Sequence, residues 1–186
     1  MAQDQVSDAL RLPKVKSRFR ELKGLIVDDD RHMRKVLRML LLGYGVKEVF
    51  DAPDGQSAID LMADVNPHFI VTDYDMKPMG GLAFVKKLRW ECAQPLCSVP
   101  VILLTAYADM KRIQAARDTG VTEALCKPVT AKNLFDRVLE IIERPRSFVR
   151  APAFVGPDRR RRRGDSSYNG PKRRSEDAGV EIEYLE

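Results

Sequence analysis

Acidic side chains follow two short apolar segments of the chain, and a hydroxyl and an ammonium group follow two others. Asp28–Asp30 ends one apolar run, Asp73 and Asp75 follow another, and Thr105 and Lys127 end two more. Adjacent carboxylates repel one another unless a cation neutralises them, and hard oxygen ligands suit Mg²⁺. A carboxylate beside such an ion can attack a phosphoryl group. Thr105 and Lys127 could then contact the new phosphate oxygens.

The apolar runs have the length of buried strands, and amphipathic stretches with helical spacing separate them. Strands that alternate with helices predict an α/β fold: a five-stranded, doubly wound parallel sheet covered on both faces. Ligands of such sheets bind beyond the carboxyl ends of the strands, where the polar residues above would meet. The predicted strands are Leu22–Val27, Val46–Phe50, Phe69–Thr72, Val99–Leu104 and Val121–Cys126, and the predicted helices are Arg31–Leu42, Asp54–Val65, Gly81–Trp90, 108–119 and 130–143.

Residues 22–144 resemble a response-regulator receiver domain of the CheY-like, flavodoxin-like type. The resemblance rests on four motifs in the family's order and spacing: Leu25–Asp30, Thr72–Met76, Leu104–Ala106 and Lys127-Pro128. It implies a phosphoprotein of two-component signalling, which receives its phosphoryl group from a histidine kinase or a phosphotransfer protein.

The same resemblance assigns roles to individual residues. Asp73 would be the phospho-acceptor and, with Asp29, a direct Mg²⁺ ligand. Asp75 would contribute its backbone carbonyl to the metal, and Asp28 would act through water. Thr105 would be the switch hydroxyl, and Lys127 the ammonium group that senses the phosphate.

Two positions depart from the family pattern. Many receivers have an aromatic residue three positions before the lysine of the fifth strand, and this residue turns inward when the threonine moves. That position is Ala124 here, so the relay from threonine to aromatic lacks its second member. In the loop after Asp73, Pro78 stands one residue later than usual, while the distance to Gly81 is kept.

Charge divides the chain into three parts. Residues 1–21 form an N-terminal extension, 22–144 the receiver domain, and 145–186 a tail. The basic balance lies in the tail, where residues 144–174 hold eleven Lys and Arg against two acids. Residues 175–186 hold five acids and no base, so the chain ends in an acidic segment. Few apolar residues and many Gly, Pro and Arg predict a largely disordered tail.

The tail contains a short repeat that goes beyond a simple charge run. Phe154–Arg160 recurs as Tyr168–Arg174, and each copy has an aromatic residue, a Gly-Pro pair and two arginines. Arginine forms two-bond contacts with guanine and with phosphate, and both arginine and aromatic rings stack on bases. Asp158 could accept hydrogen bonds from guanine, and Gly-Pro would bend the chain around the ligand. A duplicated half-motif suits a ligand with two equivalent halves.

This arginine-rich extension resembles that of the CheY-like cyclic di-GMP effectors (the Cle group) of flagellated alphaproteobacteria. The resemblance implies cyclic di-GMP binding by the tail and action at a flagellar motor switch protein, with effects on motility and surface attachment. The residues expected to bind cyclic di-GMP are Phe154, Gly156, Pro157, Asp158, Arg159, Arg160, Arg161, Arg162, Arg163, Tyr168, Gly170, Pro171, Arg173 and Arg174.

The sequence favours a regulator over an enzyme, with self-catalysed transfer to Asp73 and its hydrolysis as the only chemistry. We expect a cytoplasmic protein, because no secretory signal and no apolar run of membrane-spanning length is present. The resemblance to the Cle group implies recruitment to the flagellated pole. Two alternatives stay open. The basic tail could bind nucleic acid or another polyanion under the control of phosphorylation, and a phosphatase could use the same aspartyl chemistry, although no cap domain is evident.

Overall fold

Five parallel strands form the central sheet of the computed structural model, which describes residues 18–107, 109–158 and, for the backbone, 183–185. The strand order is β2-β1-β3-β4-β5, so the order reverses beside β1. This confirms the predicted doubly wound sheet, whose carboxyl edge at β1 and β3 is the expected ligand position. The strands are β1 Lys23–Val27, β2 Glu48–Ala52, β3 Phe69–Asp73, β4 Val101–Thr105 and β5 Glu123–Cys126.

Five α-helices connect and follow these strands. Three of them begin at an acidic N-cap, because Asp30, Asp54 and Asp109 each accept a hydrogen bond from a backbone N–H of the first turn. Thr130 caps the last helix in the same way. The helices are α1 Arg31–Gly43, α2 Gly55–Val65, α3 Gly81–Glu91, α4 Met110–Thr119 and α5 Ala131–Glu143.

Alternation along the strands builds two cores. On β1, Ile26 belongs to the core covered by α1 and α5, whereas Leu25 and Val27 belong to the core covered by α2, α3 and α4. Phe19 also packs in the first core, with its ring 5.2 Å from that of Phe135. The ordered domain therefore begins before the boundary predicted at residue 22.

The second strand begins two residues later than predicted. Val46 is buried, but its backbone N–H donates to the carbonyl of Leu41 at 3.1 Å and closes the end of α1. The apolar character of Val46 therefore reports packing beneath the helix, which a strand pattern cannot distinguish from sheet burial.

Part of the segment predicted as a tail is folded. Residues 148–157 form a hairpin, β6 Phe148–Ala151 and β7 Phe154–Pro157, and β8 Glu183–Leu185 pairs with the other edge of β6. All pairings are antiparallel. The structured chain therefore extends past residue 144, and strands from residues 148–157 and 183–185 share one small sheet.

No helix in the described parts of the chain is long and apolar enough to span a membrane.

Candidate functional site

Three carboxylates meet at the carboxyl edge of β1 and β3. Oxygen atoms of Asp28, Asp29 and Asp73 all lie within 4.8 Å of one another. Asp28 and Asp73 are buried, and Asp29 is exposed. The two strands pair in parallel with Val27 opposite Thr72, so the residues that follow each strand emerge side by side. The structure therefore brings together the three carboxylates that the sequence predicted.

The ionised form of Asp28 is destabilised by this arrangement. Burial, together with the nearby charges of Asp73 and Asp29, raises its pKa to about 6, although Asp30 donates a backbone hydrogen bond to its Oδ1 at 2.8 Å. Its second oxygen, Oδ2, is buried and has no hydrogen-bond partner among the described residues. A buried, unpartnered carboxylate oxygen beside two like charges is the position at which a cation would be stabilised.

A divalent cation fits this donor set. All three groups are hard oxygen ligands, and Asp28 Oδ2 lacks a donor, as expected of an atom that contacts a metal or its water. Asp29 and Asp73 could hold Mg²⁺ directly, with Asp28 acting through water. The side chain of Asp75 instead lies 3.5 Å from Arg112. The metal contact of the Asp75 backbone carbonyl stays a prediction.

Lys127 and Thr105 complete the edge of the sheet. Lys127 Nζ lies 2.7 Å from Asp73 Oδ1, so the ammonium group reaches the proposed acceptor directly. The Thr105 hydroxyl is engaged elsewhere, since it donates to the carbonyl of Tyr107 at 2.9 Å. Lys127 therefore contacts Asp73 itself, while the threonine is turned towards its own loop. The contacts of Lys127 and Thr105 with phosphate oxygens stay predictions.

Arg34 supports the acidic loop from beneath. Its Nη1 donates to the carbonyls of Asp28, at 2.7 Å, and Asp29, at 3.3 Å, and its Nε donates to Asp51 at 3.0 Å. Asp51 also accepts from Arg38. Burial alone would raise the pKa of Asp51, but the two arginines lower it. The sequence did not predict this network, because Arg34 belongs to no recognisable motif. It is an ordinary residue of α1, one turn after the acidic run.

Gly81 permits the close packing of α3 beneath Asp73. A Cβ at this position would lie 2.0 Å from the backbone oxygen of Asp73, far inside any allowed contact. The backbone N–H of Gly81 donates to the carbonyl of Tyr74 at 2.9 Å. The spacing between Asp73 and Gly81, which the sequence showed to be kept, therefore has a steric reason.

The hairpin is attached at the opposite, amino-terminal edge of the sheet, around the buried side chain of Arg89. This guanidinium donates to the carbonyls of Gly120, Cys97 and Val99 at 2.7–3.1 Å, and it lies 4.8 Å from the ring centroid of Phe148 on β6. Burial lowers the pKa of Arg89 to about 9, so it remains protonated at neutral pH. A cation from α3 thus fixes the start of the extension.

Glycines allow β7 to approach the same edge. A Cβ on Gly156 would lie 2.7 Å from the Cα of Gly120, and a Cβ on Gly120 would lie 2.6 Å from the carbonyl oxygen of Val155. Gly120 also has a φ of +92°, which favours glycine. The two backbones therefore touch because neither residue has a side chain.

This packing changes the interpretation of the first repeat copy. Phe154, Gly156 and Pro157 belong to β7, and Gly156 and Pro157 are buried, so the bend predicted at the first Gly-Pro pair is wrong. Contact of these three residues with a nucleotide stays a prediction. Asp158 follows the strand, and its backbone N–H donates to the carbonyl of Ser147 at 2.7 Å. The remaining predicted ligand residues, Arg159 to Arg163, Tyr168, Gly170, Pro171, Arg173 and Arg174, lie outside the described residues.

Comparison with known proteins agrees with this geometry. Residues 25–139 match the model of the response regulator receiver domain. The chain belongs to the response-regulator receiver family. It is 34% identical over 125 residues to the chemotaxis protein CheY-3 of Vibrio cholerae serotype O1, a match that covers 67% of this chain and 95% of that protein. It is also 34% identical over 123 residues to the chemotaxis protein CheY of Pseudomonas aeruginosa, covering 66% of this chain and 98% of the relative.

Solved structures give the same fold. The chemotaxis response regulator CheY4 of Vibrio cholerae is similar with a TM-score of 0.60 and 28% identity, covering 64% of this chain and 98% of that one. A putative response regulator from Chloroflexus aurantiacus is similar with the same TM-score and 30% identity, covering 66% and 98%. The receiver family therefore accounts for about two-thirds of the chain, and the extension after residue 144 lies largely outside it.

Proposed function

We propose that this receiver is phosphorylated on Asp73 and that its extension binds cyclic di-GMP, so that one small regulator reads two inputs. The first input rests on one observation above all. Asp73 lies within 4.8 Å of two further carboxylates and 2.7 Å from Lys127, at the carboxyl edge of the sheet. The donor would be the phosphohistidine of a histidine kinase or phosphotransfer protein, as the family implies.

In the transfer, a carboxylate oxygen of Asp73 forms the new P–O bond while the P–N bond of phosphohistidine breaks and the imidazole leaves with the electron pair. Mg²⁺, when bound, would screen the carboxylates and stabilise the transferring oxygens. Lys127, whose Nζ lies 2.7 Å from Asp73 Oδ1, would neutralise charge on the aspartyl phosphate. Burial of Asp28 and Asp73 keeps the reacting group partly out of water.

Mass spectrometry tests the acceptor. Incubation with acetyl phosphate and Mg²⁺ should add one phosphoryl group to the wild type and none to Asp73→Asn. Asp75→Asn is the matched control, because it removes an equivalent charge nearby but keeps the backbone carbonyl, and it should still be labelled. If Asp73→Asn is labelled as well as the wild type, the assignment is wrong.

The second input rests on the extension. The receiver match ends at residue 139, yet the chain continues into a folded hairpin. The second strand of this hairpin begins the first of two copies of the aromatic–x–Gly–Pro–x–Arg–Arg repeat. Arg89 and Gly120 hold the hairpin on the receiver, so the repeat starts at a defined place next to α4 and β5. Arginine and aromatic side chains in duplicate match a ligand with two guanines and two phosphates.

Titration calorimetry tests this input on the full chain. Cyclic di-GMP should bind saturably with micromolar or tighter affinity, and replacing Arg159 and Arg173 by alanine should abolish the heat. Arg150→Ala is the matched control, since Arg150 is an exposed arginine of β6 outside the repeat, and it should bind normally. Equal loss in the control would point to general charge rather than to the repeat.

The alternative function is a phosphorylation-controlled adaptor whose basic extension binds nucleic acid or another polyanion. The eleven basic residues of segment 144–174 favour it, because phosphate neutralisation needs only charge. The salt dependence and the ligand specificity of binding distinguish the two functions. If cyclic di-GMP gives no heat of binding while unrelated RNA or DNA binds in a salt-sensitive way, the adaptor function replaces the effector proposal.

Output would occur by protein binding on the face formed by α4, β5 and α5. A groove of about 250 Å³ runs along this face, and Ala124 lines it where many receivers have an aromatic side chain. The arginines 117, 137 and 146 outnumber the single acid Glu123, which favours an acidic partner with an apolar anchor. Because the relatives above are chemotaxis proteins, we propose a flagellar motor switch protein as the partner, reached in the cytoplasm at the flagellated pole.

A direct binding assay with the purified switch protein tests the face. Ala124→Trp should fill the groove and reduce affinity at least tenfold. Ala63→Trp, on the exposed side of α2, adds the same ring elsewhere and should leave affinity unchanged. Unchanged affinity in Ala124→Trp would exclude the groove as the output surface.

A further inference from the structure

Arg112, in the first turn of α4, lies between two tyrosines that belong to different loops. Its guanidinium carbon is 4.8 Å from the ring centroid of Tyr74 and 4.8 Å from that of Tyr107. Arg112 Nη1 lies 3.5 Å from Asp75 Oδ2, and Arg112 Nε lies 3.5 Å from Asp109 Oδ2. One side chain thus makes two cation–π contacts and two ion pairs, which we call the Arg112 clamp.

The clamp connects the two loops that carry the reaction. Tyr74 and Asp75 directly follow the acceptor Asp73, whereas Tyr107 stands two residues after Thr105. Asp109 is the N-cap of α4 and accepts from the backbone N–H of Arg112 at 2.9 Å. The clamp therefore joins the acceptor loop, the threonine loop and the start of the fourth helix.

Thr105 is held by the same group of residues. Its hydroxyl donates to the carbonyl of Tyr107 at 2.9 Å, and the backbone N–H of Tyr107 approaches the hydroxyl oxygen at 3.2 Å. For this hydroxyl to donate to a phosphoryl oxygen on Asp73, its bond to Tyr107 must break. The ring of Tyr107 lies against the Arg112 guanidinium, so Tyr107 links the clamp to the Thr105 hydroxyl.

The usual route from this threonine to the output face is missing its aromatic member, since Ala124 stands at that position and lines an open groove. We propose that Arg112 is the positioning residue that replaces this route: the clamp keeps Thr105 turned towards Tyr107, and occupation of Asp73 by a phosphoryl group opens the clamp and shifts the first turn of α4. This inference rests on the proposed phosphorylation of Asp73.

The test measures binding of the phosphoryl analogue beryllofluoride, with Mg²⁺, to the full chain by ¹⁹F NMR. Arg112→Gln should bind beryllofluoride roughly three- to tenfold more tightly than the wild type, since the stacked contacts no longer oppose the movement of Thr105. Lys111→Gln removes the same charge from the same turn without touching the tyrosines and should change affinity less than twofold. Weaker binding by Arg112→Gln would show that Arg112 attracts the anion directly, and the proposal would be wrong.

A second background separates positioning from a general structural role. In Thr105→Ala, the further change Arg112→Gln should have no effect on beryllofluoride affinity, because the clamp acts through the threonine hydroxyl. An equal gain in both backgrounds would overturn the proposal. If the wild type itself fails to bind beryllofluoride while remaining folded, the phosphorylation of Asp73 fails instead, and the two failures are distinguishable.

Discussion

The two edges of the parallel sheet treat buried charge in opposite ways. At the carboxyl edge, Asp28, Asp29 and Asp73 gather like charges, and Asp28 Oδ2 has no donor among the described residues. At the amino edge, Arg89 is as buried as Asp28, but three carbonyls and the ring of Phe148 surround it. Although its Nη2 also lacks a partner in the described structure, no like charge opposes it. Repelling charge marks the edge suited to cation and phosphoryl chemistry, whereas a buried cation bonded to three carbonyls marks the edge that attaches the extension.

Loss of Arg89 should lower the free energy of unfolding more than any other substitution proposed below. A small effect would contradict the comparison of the two edges. Arg89→Met keeps most of the apolar volume but leaves three buried carbonyls without a donor, so we expect a loss of about 3 kcal/mol in the free energy of unfolding. Urea denaturation measures the loss. Hydrogen exchange should show that residues 148–157 lose protection first.

Lys86→Met is the control for this change. Lys86 lies on the same helix but is exposed, so its substitution should alter stability by less than about 0.5 kcal/mol. If Arg89→Met were equally mild, Arg89 would not hold the hairpin, and the amino edge would not be an attachment site.

Gly120→Ala should have the next largest effect. The new Cβ would lie 2.6 Å from the carbonyl oxygen of Val155, and alanine is disfavoured at a φ of +92°. We expect a loss of about 2 kcal/mol, with hairpin protection falling more than that of the central sheet. Gly43→Ala is the matched control, since nothing lies within 4 Å of its added Cβ, and a stable hairpin in Gly120→Ala would contradict the contact.

The contrast also explains what could be predicted from sequence. The carboxyl edge was predictable because strand ends must carry the site residues of a doubly wound sheet, so Asp28, Asp73 and Lys127 could be placed together before any coordinates. The same alternation predicts a parallel, doubly wound sheet but not its strand order, β2-β1-β3-β4-β5. Local chemistry and topology both point to this edge, and the three carboxylates do meet there.

The attachment edge was not predictable, because its parts are distant in sequence and individually ordinary. Arg89 looks like a helix-surface cation, Phe148 like an isolated aromatic, and Gly120 like a helix stop. Their meeting depends on a hairpin whose strands are only four residues long, within a segment whose composition favours disorder. Arg34 and Arg112 were missed for a related reason, since a helical arginine gives no signal of what it contacts.

Asp28→Asn tests the claim that the carboxyl edge is electrostatically strained. Without Mg²⁺, this variant should be more stable than the wild type by roughly 1–2 kcal/mol at pH 7, because it removes one repelling charge. The pKa of Asp28, raised to about 6, means that the folded state binds the proton more tightly than the unfolded state. The contribution of Asp28 to wild-type stability therefore falls as pH rises from about 4 to about 6. The gain should therefore shrink near pH 4.

Thermal unfolding at pH 4.5 and pH 7 measures this difference. Asp30→Asn is the control, since asparagine also serves as an N-cap and Asp30 is exposed, and it should show no comparable gain. Added Mg²⁺ should stabilise the wild type more than Asp28→Asn. A destabilised Asp28→Asn in the absence of metal would contradict the strained carboxylate cluster.

Asp51 allows a closer comparison, because its carboxylate is paired with arginines although it lies near the repelling cluster. Arg34, which donates to Asp51, also donates to the backbone carbonyls of Asp28 and Asp29. The lowered pKa of Asp51 means that the folded state favours the ionised carboxylate, so its contribution to stability is present above the unfolded value of 3.8 and is lost as pH falls through the folded value. Asp51→Asn should therefore cost about 1 kcal/mol at pH 7 and progressively less in acid, the opposite pH trend to Asp28→Asn. If the stability of the two variants changed with pH in the same direction, pairing with Arg34 would not distinguish Asp51 from Asp28. The division between repelling and paired carboxylates would then fail where the two kinds lie closest together.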